Sequence, residues 1–334
     1  MVEVMLFLCM LVAFFSTLLI TPKFSKFLED IGVVGIDVHK RDKRRVPEMG
    51  GPVVLFGFLT GSFLFLWAQV FLLGRKEVVD ILAVISTALI TTLVGMFDDL
   101  GALLKRREGF KRIGLKQWQK PLLTLPAAIP LMAIMAGDPN ISLPLVGSVN
   151  VGLLYPLFLV PIGIVGATNA YNLLGGLNGV EAGMGFIILV SLGVFALSIG
   201  EVDAGAIALI SASSVLAFLY YNWYPARVFP GDSFTYLVGS LIASVAIIGN
   251  FEKFAVFCFI PWIVEFFLKA RTKFKAQCFG KLQKDGTLRP SEGINSLTHV
   301  FMRGLREWEV SLCLIGLEVL VCSLAFFLYH WGLL

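Results

Sequence analysis

Charge is scarce in this sequence: only 15% of its 334 residues are Asp, Glu, Lys or Arg, where a soluble domain carries about 25%. A chain so poor in charge cannot clothe a soluble surface of this size, and with 57% apolar residues most of it belongs in lipid. Paired cysteines are missing too. Cys9, Cys258, Cys278, Cys313 and Cys322 show no motif spacing, so neither a disulfide framework nor a zinc site follows. A cleaved leader is also lacking, because residues 1–20 carry Glu3 in place of a basic leading region and have no small-residue cleavage site; this stretch reads as a first membrane helix. Two halves with matching interrupted helices, the mark of many transporters, are not seen. Nothing calls for a nucleic-acid partner.

What is present is a series of apolar runs at 4–20, 53–73, 78–97, 121–136, 153–170, 180–199, 204–221, 234–248, 254–268 and 310–328. Most approach the roughly 20 residues that cross a bilayer core, and lipid obliges each to satisfy its own backbone hydrogen bonds as a helix. The expected fold is therefore an all-α polytopic membrane protein of about ten transmembrane helices, a single domain over 1–334. Gly249 and Asn250 turn the eighth run into the ninth as a tight helical hairpin. Basic residues orient the bundle: 21–51 holds seven, 98–120 seven, 222–233 one and 269–308 nine, leaving Arg75, Lys76 and Lys253 for the other face. The loops rich in Lys and Arg are the cytoplasmic ones, which puts both termini outside. Between 137 and 150, the pattern around Ile141 and Val149 predicts a small external β-hairpin. In 291–308, Ile294, Leu297, Phe301 and Leu305 recur at helical spacing and predict a helix lying along the interface.

Four polar strings interrupt the apolar pattern. In Val94-Gly-Met-Phe-Asp-Asp-Leu100 an apolar helix runs into Asp98 and Asp99. Carboxylates cost about 2.5–3.5 kcal/mol inside a membrane, so the pair either ends the helix in water or forms a site able to hold a cation or accept a proton. Between 167 and 185, Asn169, Asn172, Asn178 and Glu181 alternate with glycines; the stretch is either a helix-breaking loop or a cradle whose amides meet a base edge or a hard cation. Around Phe229-Pro-Gly-Asp232-Ser233, Asp232 stands at a helix start, either as a cap or as a metal ligand on the same predicted face. Basic loops complete the set: His39 to Arg45 lead into Pro47-Glu48-Met49, and Arg271, Lys273 and Lys275 follow the ninth helix. Most such charges anchor a protein to anionic headgroups. Lys120, beyond the aspartate pair at the start of an apolar run, is the one best placed for a phosphate.

These strings, in this order and over essentially the whole length, resemble the polyprenyl-phosphate N-acetylhexosamine-1-phosphate transferase superfamily. Gly175 and Asn178 stand where bacterial members usually carry aspartates, so Asn169-Ala-Tyr-Asn-Leu-Leu-Gly-Gly-Leu-Asn-Gly-Val-Glu181 is similar to the eukaryotic and archaeal dolichyl-phosphate branch. The resemblance implies transfer of N-acetylglucosamine-1-phosphate from UDP-N-acetylglucosamine to a polyprenyl or dolichyl phosphate, on the cytoplasmic face of a prokaryotic plasma membrane in preference to the endoplasmic reticulum. It implies Mg²⁺, or Mn²⁺ in its place, on Asn172 and Asp232, Asn178 on the uracil with Phe229 stacked against it, and Asp37 and Glu48 on the nucleotide sugar. Asn169 and Glu181 fall in the same donor-binding string. Lys120 would hold the acceptor phosphate, with Asp98 and Asp99 deprotonating it or positioning Lys120 and water. The family's Arg-His-Arg corresponds to Arg271-Thr272-Lys273, two charges kept and the histidine lost. A homodimer is compatible with the resemblance. The alternatives are a bacterial-type undecaprenyl-phosphate sugar-1-phosphate transferase and, from another class, a secondary transporter.

Overall fold

A computed structural model describes residues 2–75, 78–108, 118–143, 147–291 and 293–334. Lys76, the part of the second basic loop at 109–117 and the hairpin tip at 144–146 lie outside the described residues. Seven helices are long and apolar enough to cross a membrane. They are α1 (Val2–Ile31), α2 (Gly51–Phe71), α3 (Val79–Glu108, apolar to Gly101), α7 (Val180–Ser198), α8 (Val202–Asn222), α9 (Gly231–Ile248) and α13 (Glu307–His330).

The remaining three predicted spans are helical but broken, and proline breaks them. A proline inside a helix removes a hydrogen bond and clashes with the preceding turn. Thus 121–136 becomes α4 (Gln119–Thr124), a 3₁₀ turn at Leu125–Ala128 and α5 (Ile129–Ala133), with Pro121, Pro126 and Pro130 each near the start of a piece. The run at 153–170 is a π turn at Tyr155–Leu159, holding Pro156, followed by α6 (Val160–Tyr171), with Pro161 in its first turn. The ninth run splits into α10 (Glu252–Cys258) and α11 (Ile260–Arg271), with Pro261 opening the latter. The ten expected apolar segments are thus all helical, seven as long helices and three as jointed ones. The helical hairpin at Gly249 and Asn250 is present, Asn250 taking a positive φ of 54°. The expected interfacial helix over 291–308 shrinks to α12 (Leu297–Phe301): Ser296 caps its start, Gly304 at φ 90° turns the chain, and Glu307 already begins α13.

Three small antiparallel pairs complete the chain. Strands β1 (Val34–Ile36) and β2 (Arg45–Pro47) fold the first loop into a hairpin, β3 (Asn140–Leu143) and β4 (Gly147–Asn150) form the predicted one, and β5 (Gly280–Leu282) pairs with β6 (Leu288–Pro290).

Burial grades the bundle. In their most apolar windows α9 is 83% buried, α8 72% and α7 67%, whereas α1 is 28% and α13 33%. The outer helices turn Phe7, Leu19, Leu320 and Phe327 outward, as lipid solvation requires. Helix α9 is thus the axis, and its first turn is delivered to the middle of one end of the bundle. Close approach there depends on Gly95 of α3, where an added Cβ would lie 2.4 Å from Ser233 Cα. The first residues of α7, α9 and α13, the last of α1, α6 and α8 and the far part of α3 meet at this end. The β3–β4 hairpin, the start of α1 and the end of α13 lie at the other.

Candidate active site

At that end lies a cavity of about 410 Å³. Its walls include Asp37, Glu48, Asn172, Asn178, Glu181, Phe229 and Asp232, which the sequence singled out, and Asn222, Thr235 and Phe279, which it did not. Every charged residue lining it is acidic among the described residues. A phosphate-bearing ligand would meet repulsion on this wall unless a cation came between.

One side of the cavity is built on helix ends. Asn172 closes α6, and its Oδ1 accepts from Thr235 Oγ1 of α9 at 3.0 Å; Asp232 lies in the first turn of α9, one turn before Tyr236. Lys120 Nζ sits between two carboxylates, 2.6 Å from Asp232 Oδ2 and 2.7 Å from Asp98 Oδ2. Burial alone would lower the pKa of this ammonium, but the carboxylates of Asp232 and Asp98 more than reverse that and hold it well above the ordinary lysine range. Asp98 and Asp99, neighbours in sequence, part company here. Asp98 faces Lys120, while Asp99 accepts from the backbone N–H of Asp232 at 2.7 Å and of Ser233 at 3.1 Å. Asp99 therefore caps α9 from another helix, where the orphan N–H groups and the positive dipole end favour an anion. Gly231 at φ 68° makes room for it, since an added Cβ there would lie 2.6 Å from Asp99 Oδ2.

The opposite side is built on loops. Asp37 follows β1, is 3% exposed, and its Oδ2 accepts from Asn178 Nδ2 at 3.1 Å. Lys40 and Arg44 lie 3.7 and 3.9 Å from the same oxygen. Glu48 pairs through its backbone with Phe229, whose N–H donates to Pro47 O at 2.7 Å, so the β1–β2 hairpin brings Glu48 and Phe229 to the cavity together. Glu181 Oε1 accepts from Gly176 N at 2.9 Å. Its Oε2 and Asn222 Oδ1 are buried and have no hydrogen-bond partner among the described residues, and both residues line the cavity. Unpaired buried acceptors are costly, and a ligand carrying N–H and O–H donors would satisfy both. Phe279, beside the β5–β6 hairpin, packs against Gly176 and meets the His39 ring edge-on at 5.7 Å.

Three predicted residues lie elsewhere. Asn169 donates to Thr124 Oγ1 and Val165 O, tying α6 to α4. Arg271 is the last residue of α11 and Lys273 sits in the turn after it at φ 54°; neither lines the cavity. The loop reaches the site further on, through Phe279. Of the residues missed, Asn222 stands within the Asp232 string; no spacing or composition signal marks Phe279.

Buried carboxylates and amides from distant segments thus converge at the mouth of a membrane helical bundle, the arrangement of an intramembrane enzyme acting on an anionic substrate. The chain belongs to glycosyl transferase family 4, whose model matches residues 81–250. It is 35% identical, over 95% of its length and 94% of the relative's, to a Sulfolobus acidocaldarius protein provisionally named a UDP-N-acetylglucosamine–dolichyl-phosphate N-acetylglucosaminephosphotransferase. A Dictyostelium discoideum protein of that name is 27% identical over 73% of this chain and 66% of its own. Similarity extends to the phospho-N-acetylmuramoyl-pentapeptide-transferase of Lacticaseibacillus paracasei, at 28% identity over 96% of this chain and 97% of that one.

Proposed function

We propose that this protein transfers N-acetylglucosamine-1-phosphate from UDP-N-acetylglucosamine to a polyprenyl phosphate of the dolichyl type, releasing UMP, at the cytoplasmic face of a cell membrane. One observation carries the reading: Asn172 and Asp232, 60 residues apart in sequence, line a single cavity whose charged lining is acidic among the described residues, with Lys120 held against Asp232 at its edge. The similarity to relatives named for this donor and acceptor supports the choice of substrates.

An amide oxygen and a carboxylate facing one cavity fit Mg²⁺, or Mn²⁺, which favours oxygen ligands and keeps places for substrate phosphates. Asn172 Oδ1 and Asp232 would hold the ion, which when bound neutralises the diphosphate. The chain's own residues do the rest. Lys120 is charged throughout the working range and binds the acceptor phosphate beside Asp98, which keeps the ammonium aimed at the reacting end. Asn178, with Phe229 on the same loop-built side, holds the uracil, and Glu181 and Asn222 accept from donor groups of the nucleotide sugar. An oxygen of the acceptor phosphate attacks the β-phosphorus, the bond from that phosphorus to the bridging oxygen breaks, and UMP leaves with the electron pair. The attacker is already an anion at neutral pH, so alignment and charge neutralisation supply most of the acceleration.

Purified protein given UDP-N-acetylglucosamine and a short polyprenyl phosphate should release UMP and form a lipid-linked diphosphate sugar. Chelation should stop it, Mg²⁺ should restore it, and Asp232→Ala should lower kcat by about a thousandfold. Full turnover in chelator, or a near-normal Asp232→Ala rate, would remove the assignment.

A further inference from the structure

Glu307 opens α13, yet the helix does not need it as a cap: Glu309 fills that role, accepting from Arg306 N at 2.6 Å. The Glu307 carboxylate instead reaches sideways while remaining 4% exposed. Its Oε1 accepts from Asn178 N at 3.0 Å, and its Oε2 lies 2.6 Å from Lys40 Nζ. Gly280 N donates to His39 Nε2, which leaves the imidazole proton on Nδ1, 3.7 Å from Glu307 Oε1. One turn along, Ser311 Oγ donates to Asn178 O at 2.9 Å, so α13 grips both backbone groups of Asn178. The side chain of Asn178 is held in turn by Asp37 Oδ2, and Asp37 shares its loop with Lys40. The contacts close a ring from Glu307 through Asn178, Asp37 and Lys40 back to Glu307. Neither Glu307 nor Lys40 lines the cavity; Asn178 and Asp37 do.

A buried carboxylate is costly unless paired and hydrogen-bonded, and this one spends its partners on two segments that form the nucleotide side of the cavity. We propose that Glu307 is a positioning residue for the donor, locking the Asn178 segment and the first loop in the relative placement that binds the uridine nucleotide. The inference rests on the functional reading above and adds to it a residue from the last helix, which touches neither substrate nor metal. It predicts a loss confined to donor binding, because the phosphate-transfer wall of Asp98, Lys120 and Asp232 stands on other elements.

The test compares full-length wild type, Glu307→Gln, Glu307→Ala and Ser311→Ala in the same detergent. UMP release is measured against each substrate in turn, and UMP binding is measured by calorimetry without acceptor. Glutamine keeps an acceptor for Asn178 N–H but loses the charge facing Lys40, so KM for UDP-N-acetylglucosamine should rise about tenfold, and alanine should raise it by about a hundredfold. UMP affinity should fall in parallel, while kcat and the acceptor KM stay within about threefold. Partial rescue by glutamine separates positioning from mere loss of folding; if the alanine variant does not fold, Glu307→Gln and Ser311→Ala carry the test. Unchanged donor KM and UMP affinity in an active enzyme, or a loss expressed in kcat, overturns the inference alone. A wild type that neither binds nor releases UMP overturns it together with the functional reading.

Discussion

The two sides of the cavity are made differently. The side that presents Asp232 is backed by Asp98, Asp99 and Lys120, which stand behind the lining on the ends of α3 and α4, close to the most buried helix of the bundle, three acids with one base. The side that presents Asp37 and Asn178 is assembled from a hairpin loop and an interhelix turn, tied from behind the lining by Lys40 and by Glu307 at the start of the last helix, with acids and bases alternating. Helix ends gripped by apolar packing give a rigid frame for charge transfer. Loops tied by ion pairs give a surface shaped to one ligand, at the cost of depending on every tie.

The comparison breaks most readily at Lys120. Replacing it with Met leaves two buried carboxylates facing each other and removes the acceptor's cation, so kcat should drop about a hundredfold with the donor KM little changed. The pH profile sharpens this. An ammonium whose folded pKa lies above its unfolded value contributes stability in full below about pH 10.4 and loses it only as pH rises through the higher folded value. Neither UMP release nor the melting temperature should show a loss due to Lys120 between neutrality and about pH 10. A falling limb near pH 8 that Lys120→Met abolishes would contradict the ion-paired geometry.

Next come the adjacent aspartates, which should separate by the kind of damage they cause. Asp98→Asn should lower kcat by about tenfold or more with little effect on melting. Asp99→Ala removes a helix cap and should cost about 1–2 kcal/mol of stability, read as earlier unfolding in a detergent melt. Identical profiles for the two would mean that the pair acts as a unit. On the nucleotide wall, Phe229→Ala should raise the donor KM by about two- to tenfold through lost ring contact, leaving kcat near normal. The smallest effects belong to Arg271→Ala and Lys273→Ala, which lie off the cavity and should change UMP release by less than about threefold. A large loss in either would place the loop after α11 nearer the phosphates than this structure does.

The rigid wall was the more legible in the sequence. Carboxylates within or beside long apolar runs are conspicuous because burying them is costly, and Asp98 and Asp99 stood out on that ground, while Asp232 was marked by its place at a helix start on the same predicted face. Their division of labour did not. Nothing in two successive aspartates tells which one turns toward Lys120 and which toward the N–H groups of another helix; that depends on how α3 is rotated against α9. On the loop side Asp37, Glu48, Asn178 and Phe229 were marked by motif, but nothing in the sequence pattern marked Glu307 or Phe279. Arg271 and Lys273 drew attention through their charge, and the chain carries them past the site. Among the helices, length and hydropathy located all ten segments, while the prolines that joint three of them decide where each can bend.

By itself the sequence determined the solvent of this protein and the number of its apolar segments, because charge density and the length of uncharged runs are properties of local chain that lipid reads directly. It also marked most of the side chains with chemistry to perform. Only the tertiary structure decided which of those side chains share a cavity, which of two neighbouring aspartates caps a helix, and which residues of α13 hold the first loop. Those outcomes depend on helix rotation and on contacts between residues hundreds of positions apart, where packing and the pairing of buried charge act on the whole bundle at once.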